Sequence, residues 1–286
     1  MFVTGGTGFT GSRVVPLLLK NGYQVRCLHR LASDRSPLLQ DHPQIEWVEG
    51  DLSNSRALAF SMQGMDALVN VASLGFGQAD SIIRAAQDAG IQRAIFISTT
   101  AIFTQLNANS RNVRVAAELA IEVSGLRYTI LRPTMIYGDP RDRNMWRLIR
   151  LMRFSPIVPV FGDGTYLQQP IHVDDVARAV VSCLSSDQTI RKSYNIAGKT
   201  PLTYNEVIDT IARLLNKQVW KLYIPFRPVV SLLQFFEHFG VSFPIKSEQI
   251  LRLNENKNFS YEEAQKGFGF CPLSFAEGIE MELRPK

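Results

Sequence analysis

The stretch Thr4-Gly5-Gly6-Thr7-Gly8-Phe9-Thr10-Gly11 lies between the apolar start Met1 to Val3 and the apolar run Val14 to Leu19, and it constrains the fold more than any other part of the chain. Four glycines in eight residues between a strand-like and a helix-like run read as strand, tight turn and helix. Gly5 and Gly8 let the backbone turn sharply and approach a pyrophosphate, Gly11 lets the helix pack close to the strand, and the helix N-terminus faces the anion. An ordinary glycine-rich turn is the simpler alternative. The strand before and the helix after supply the context that dinucleotide binding requires. Pro16 falls inside that first helix, where it removes a hydrogen bond, and predicts a local kink or irregular turn.

Downstream, short β-type runs at Gln24 to Leu28, Glu46 to Val48, Ala67 to Val71, Ala94 to Ser98 and Arg127 to Leu131 alternate with amphipathic stretches such as Ser81 to Ala89 and Val113 to Val123. This rhythm predicts an α/β chain with a doubly wound, mainly parallel sheet covered on both faces. Residues 137–170 are rich in Gly and Pro and predict loops and short elements. Ile171 to Val173 reads as a strand, with Asp174 as N-cap of a helix to about Ser185, and Tyr194 to Ala197 as a last strand. Thr203 and Glu206 have the spacing of a capping box. The expected division is a nucleotide-binding domain over 1–198, whose loops within 137–170 contribute to a substrate cleft, and a smaller, mostly helical substrate-side domain over 199–286.

The 286 residues can bury a sizeable core, and no apolar run approaches the roughly 20 residues of a membrane span. The N-terminus begins in the first strand, so no leader is expected and the cytoplasm is the expected compartment. Cys27, Cys183 and Cys271 are too few and too far apart for a disulfide framework or a metal motif. A net charge of +5 and a pI near 9.2 would suit anionic partners, but the basic residues are dispersed among acids, which does not favour nucleic acid.

The glycine stretch, Gly50-Asp51-Leu52, Asn70-Val71-Ala72, Ser98-Thr99-Thr100, Leu131-Arg132-Pro133, Ile136-Tyr137-Gly138 and Ile171-His172-Val173-Asp174-Asp175-Val176-Ala177 together resemble the extended and atypical short-chain dehydrogenase/reductase superfamily, the NAD(P)-dependent epimerase/dehydratase branch. The resemblance covers nearly the whole chain. It implies a Rossmann domain, a nicotinamide cofactor, a small-molecule substrate and a homodimer. Gly5, Thr7, Gly8, Phe9, Thr10 and Gly11 would hold the pyrophosphate. Asp51 would hydrogen-bond the adenine amino group, with a local helix cap as its alternative role, and Leu52 would pack on the ring. Asn70, Ala72, Ser73 and Ser98 would line the cofactor, and Pro133 with Thr134 and Met135 would meet the nicotinamide amide.

Cofactor choice is set where the second strand ends. A carboxylate there would bind the ribose hydroxyls of NAD, whereas this strand ends in His29-Arg30. Arg30, assisted by Arg35, can pair with a 2′-phosphate, and Asp34 could reach the ribose only if its loop folds back. The pattern favours NADP over NAD.

The catalytic positions depart from the family. Counting back from Glu118 puts the usual Lys at Arg114 and the usual Tyr at Ser110. Ser110 cannot replace a phenol as an acid, and Arg114 can hold ribose or phosphate but cannot titrate. Thr100 aligns with the hydroxyl that polarises the reacting oxygen. Tyr137 and Tyr166 are candidate substitutes for the phenol, while Tyr128 reads as packed, His172 as a brace for the strand-to-helix corner and Arg132 as structural. The apolar stretch 225–243 reads as core, as a lid over an apolar substrate pocket, or as a membrane-surface element. The leading reading is an NAD(P)-dependent oxidoreductase or epimerase-type enzyme in which Thr100 polarises the oxygen, Arg114 holds the ribose and an unidentified group or water moves the proton. The alternatives are a catalytically inactive NADP(H) sensor or scaffold and, more remotely, an RNA-binding relative.

Overall fold

The computed structural model describes residues 1–31, 42–106, 109–142, 144–240 and 246–284. Its first half alternates strands β1 (Phe2–Thr4), β2 (Val25–His29), β3 (Ile45–Glu49), β4 (Ala67–Asn70), β5 (Arg93–Ile97) and β6 (Tyr128–Pro133) with helices α1 (Gly11–Lys20), α2 (Ser55–Met62), α3 (Ala79–Asp88) and α4 (Asn109–Val123). Next come β7 (Ile136–Tyr137), α5 (Met145–Phe154), β8 (Ile157–Phe161), β9 (Leu167–Gln168), β10 (Ile171–His172), α6 (Val173–Leu184) and β11 (Lys192–Ile196). The chain closes with β12 (Leu202–Thr203), α7 (Tyr204–Leu214), β13 (Trp220–Ile224), α8 (Phe226–His238), α9 (Ser247–Leu253), α10 (Glu262–Phe268) and α11 (Phe275–Leu283).

Seven strands form one parallel sheet in the order β11-β6-β5-β4-β1-β2-β3. The central strands β4 and β5 are mostly apolar and buried because both faces are covered, whereas the edge strand β3 alternates charged with apolar residues. On one face Val14 and Leu18 of α1 meet Val176 and Val180 of α6; on the other Leu58, Ile82 and Ile121 of α2, α3 and α4 pack together. All seven side chains are at most 2 % exposed, and each contributes about 1.5–3 kcal/mol by leaving water. The strand order reverses between β4 and β1, so the crevice outside their carboxyl ends is where a dinucleotide fits such a sheet.

A third core joins α5 and β8 to α7 and α11 through Ile149, Val158, Ile208 and Ile279. The C-terminal chain also extends the earlier elements as sheet, with β13 pairing in parallel with β8 and β12 antiparallel to β9. Where loops and short elements were expected within 137–170, the ten-residue α5 stands between Asn144 and Ser155. No Gly or Pro interrupts it; Pro140 precedes the helix, and Pro156, Pro159 and Pro170 lie beyond its end. Pro159 falls within β8, a strand with one partner, so its missing N–H has an open side.

Two other local expectations change. α1 runs continuously through Pro16, which lies on the exposed face. The cap of α6 is the His172 imidazole, which accepts the Asp174 N–H at 3.3 Å; Asp174 sits inside the first turn. The capping box of Thr203 and Glu206 forms with both hydrogen bonds. The apolar stretch at 225–243 is α8 over its described part, and it is neither core nor lid. Only Val230 of that helix is buried, Leu232, Phe235 and the following Phe239 are exposed, and none of them lines the cavity described below. Cys27 and Cys183 are buried free thiols, raised by burial to about 12, and Cys271 is exposed. Among the described residues no helix is long and apolar enough to cross a membrane.

Candidate active site

The glycine run is the connection from β1 to α1. Gly5 has φ +68°, and a Cβ there would come within 2.7 Å of the Ala72 nitrogen. At Gly11 a Cβ would meet the Gly5 carbonyl oxygen at 2.1 Å, so helix and turn can approach this closely only without a side chain. The Gly8 N–H donates to the Gly5 carbonyl at 3.1 Å and the Ser12 N–H to the Gly8 carbonyl at 2.9 Å, which closes the loop under the helix end. Thr10 stands at the N-cap without a side-chain cap bond, and the first turn holds no acid, so the positive end of the helix dipole is not neutralised locally. Thr7 and Phe9 are half-buried, and the Arg141 guanidinium lies 6.0 Å above the Phe9 ring. Burial alone would raise the Asp139 carboxyl; its bonds to Arg141 outweigh this and hold it below the usual range. Arg13, from the first turn of α1, reaches Asp139 at 3.4 Å and Asp174 at 3.7 Å. The outcome is a cradle of backbone amides under a helix N-terminus, which fits a pyrophosphate.

At the carboxyl end of β3, Asp51 accepts from the Ser53 hydroxyl at 2.5 Å and the Ser53 N–H at 2.8 Å. Those bonds hold its carboxyl below the ordinary value, with Arg30 contributing. The cap of α2 is Asn54, which accepts the Ala57 N–H at 3.1 Å, so Asp51 is free of that structural duty. Leu52 packs partly on the second core. Arg30 is exposed at the end of the neighbouring β2, while Asp34 and Arg35 lie outside the described residues.

Asn70 is fully buried at the end of β4. Its carbonyl oxygen accepts the Thr4 hydroxyl at 2.6 Å and its amide donates to the Ala72 carbonyl at 3.0 Å. It thus fixes the two strand ends that flank the switch point and supports the cradle from behind. Ser73 accepts the Gly75 N–H at 3.2 Å, so Ala72 and Ser73 begin the turn that leaves the sheet.

After β5, the Ser98 hydroxyl donates to Glu118 on α4, and Glu118 also accepts from Arg132 Nε at 2.8 Å. Glu118 is 4 % exposed, so this is a buried charged network tying β5, α4 and β6 together. Thr100 is buried and donates to the Pro133 carbonyl at 3.4 Å. Ser110 and Arg114 occupy successive turns of α4, with Arg114 donating to the Ser110 carbonyl at 3.4 Å. The Arg114 guanidinium lies against Gly75, where a Cβ would be 3.1 Å from it, and burial followed by the nearby Arg252 lowers its pKa. Tyr137 is no substitute phenol: it is 1 % exposed, packs on His172 and Phe275, and is pushed above its ordinary value by burial. Tyr166 is half-buried outside the cavity lining.

A cavity of about 750 Å3 opens beyond the ends of β5 and β6. Ser98, Thr100, Pro133, Thr134 and Met135 lie on its sheet side, whereas Ser110 and Arg114 are absent from its lining. Leu148 of α5, Val158 and Phe161 of β8 and Leu253 of α9 make much of the wall apolar. Tyr204 contributes a phenol raised by burial to about 12. From the C-terminal chain come Arg252, Glu255 and Lys257. Glu255 accepts the Thr104 hydroxyl at 2.8 Å and the Gln105 N–H at 2.7 Å, and Phe259 packs on Phe103 with ring centroids 5.7 Å apart. These residues escaped the sequence reading because no local spacing marks them.

The family model described as NAD(P)H-binding matches residues 5–187. The chain belongs to this NAD(P)H-binding family. Among relatives, a mitochondrial NADH dehydrogenase [ubiquinone] 1 alpha subcomplex subunit 9 of Arabidopsis thaliana is 28 % identical over 277 residues, covering 88 % of this chain and 67 % of the relative. A 3 beta-hydroxysteroid dehydrogenase/Delta 5-->4-isomerase of Mycobacterium tuberculosis is 24 % identical over 338 residues, 100 % of this chain and 89 % of the relative. A solved UDP-glucose 4-epimerase of Thermotoga maritima superposes with TM-score 0.78 at 21 % identity, over 98 % of this chain and 96 % of the other, and shows the same fold. The short-chain dehydrogenase/reductase resemblance and the Rossmann architecture therefore stand, and NAD(P)H is the cofactor class of this family member.

Proposed function

We propose that this NAD(P)H-binding protein is an NADP(H)-dependent oxidoreductase that moves hydride between the nicotinamide and a carbonyl or alcohol carbon of a largely apolar small molecule. The carrying observation is the position of Thr100, which follows the carboxyl end of β5 and lines the largely apolar cavity, its hydroxyl beside the Pro133 carbonyl. In this reading the glycine cradle binds the pyrophosphate, Asp51 and Leu52 hold the adenine, and Arg30 takes the 2′-phosphate. Pro133 and Met135 face the nicotinamide, which supplies the hydride. Thr100 donates a hydrogen bond to the oxygen on which negative charge develops. Ser98 acts indirectly, by holding Glu118 and Arg132. Residues 1–198 serve as the nucleotide-binding part and 199–286 as the substrate-side part, with α5 and β8 shared at the cavity. A steroid enzyme among the relatives is in keeping with an apolar substrate.

The test is NADPH oxidation against a panel of apolar ketones and aldehydes. Turnover that falls about a hundredfold in Thr100→Val, the scale for removing one oxyanion donor, supports the proposal. NADPH binding without turnover on the panel favours a second reading, a cofactor-binding sensor, for which the observation is that Ser110 and Arg114 do not line the cavity.

A further inference from the structure

The C-terminal wall of the cavity holds a cation where the surroundings are mostly apolar. Lys257 is anchored through its backbone, its N–H donating to the Leu167 carbonyl at 2.8 Å, while the Leu167 N–H donates to the Asn256 side chain at 2.9 Å. The side chain therefore leaves a segment stitched along β9. Its ammonium donates to the Gln168 amide oxygen at 3.4 Å and to the Arg252 carbonyl. Both acceptors are neutral, and an ammonium has three donors, so among the described residues one N–H remains for a ligand. Glu255, on the same wall, has its carboxylate engaged by Thr104 and Gln105. Arg252, one turn away, also lines the cavity; it pairs with Glu248 at 2.6 Å, and its Nε is buried without a hydrogen-bond partner among the described residues.

Placing an ammonium against neutral partners costs free energy that an anion would return. Burial, opposed by Glu255 and reinforced by Arg252, lowers Lys257 to about 8, which still leaves it mostly protonated at neutral pH. We infer that Lys257, with Arg252 beside it, anchors a single anionic head group, a carboxylate or a phosphate, on a substrate whose body is apolar. Leu148, Leu151, Val158 and Leu253 offer the surface for that body. This inference rests on the proposed function for calling the ligand a substrate, but the anchor itself needs neither cofactor nor turnover.

Isothermal titration calorimetry of the full chain with decanoate, decyl phosphate and decanol tests it. Either anion binding at least tenfold tighter than decanol is expected, with the stronger of the two naming the head group. In Lys257→Met the anions should fall to the level of decanol, and Lys257→Arg should keep most of the preference. Decanol binding as tightly as both anions overturns the inference, as does an anion preference that survives in Lys257→Met. Titration of the same samples with NADPH separates the two proposals. Retained anion binding with no NADPH binding sinks the oxidoreductase and spares the anchor, and the reverse result does the opposite.

Discussion

The glycine cradle at the end of β1 and the cavity beyond the ends of β5 and β6 are built by opposite means. The cradle is backbone: its determinants are glycines without room for a Cβ, helix α1 with an uncapped N-terminus, and Asn70 bracing two strand ends. The cavity is side chain, assembled from segments more than a hundred residues apart, with Glu255 bound to Thr104 and Phe259 packed on Phe103. A backbone site tolerates little variation and binds one ligand class; a side-chain site can drift.

The largest expected effect falls on the buried network that ties β5, α4 and β6 together behind the cavity. Arg132→Met leaves Glu118, 4 % exposed, with only the Ser98 hydroxyl among the described residues, and should destabilise the fold by about 3–5 kcal/mol in urea melts, the cost of orphaning a buried charge. A loss under about 1 kcal/mol would mean that the network does not tie β5 to β6.

A smaller effect of opposite sign is expected on the cavity side. Because the folded pKa of Lys257, about 8, lies below the 10.5 of the free side chain, the unfolded chain binds more protons between those values. Stability therefore rises with pH from about 8 to 10.5, and at pH 7 the buried cation is a liability. Lys257→Met should stabilise the protein at pH 7 by about 1–3 kcal/mol, with the gain shrinking as pH rises through that window. Thermal melts at pH 7 and 10 check this. A destabilised variant at pH 7 would show that Lys257 serves the fold, and would blur the distinction between a structural cradle and a functional cavity.

Legibility followed the same division. The parallel sheet could be read because βαβ units announce themselves as apolar runs separated by helical periodicity, and the glycine cradle because backbone demands leave glycines in sequence. The capping box at Thr203 and Glu206 is equally local. By contrast, His172 displaced Asp174 as the cap of α6, since an imidazole in that role depends on the corner packing against Tyr137. Helix α5 was hidden by the prolines and glycines around it, although none lies inside it. The exposed α8 shows the limit of reading hydrophobicity as burial: an apolar run states what a helix could cover, not whether anything covers it. Lys257 could not be read at all, because its acceptor on Gln168 lies 89 residues away.

If residues 4–11 cradle a dinucleotide by close backbone approach, a side chain placed in the turn must obstruct it. Fluorescence titration of the wild type and Gly11→Val with NADPH and NADH tests it most directly. Saturable binding to the wild type is expected, tighter for NADPH, with binding weakened roughly 5- to 150-fold in a folded Gly11→Val, the equivalent of about 1–3 kcal/mol of overpacking against the Gly5 carbonyl. No saturable binding of either nucleotide to the wild type, or unchanged binding in Gly11→Val, would contradict it.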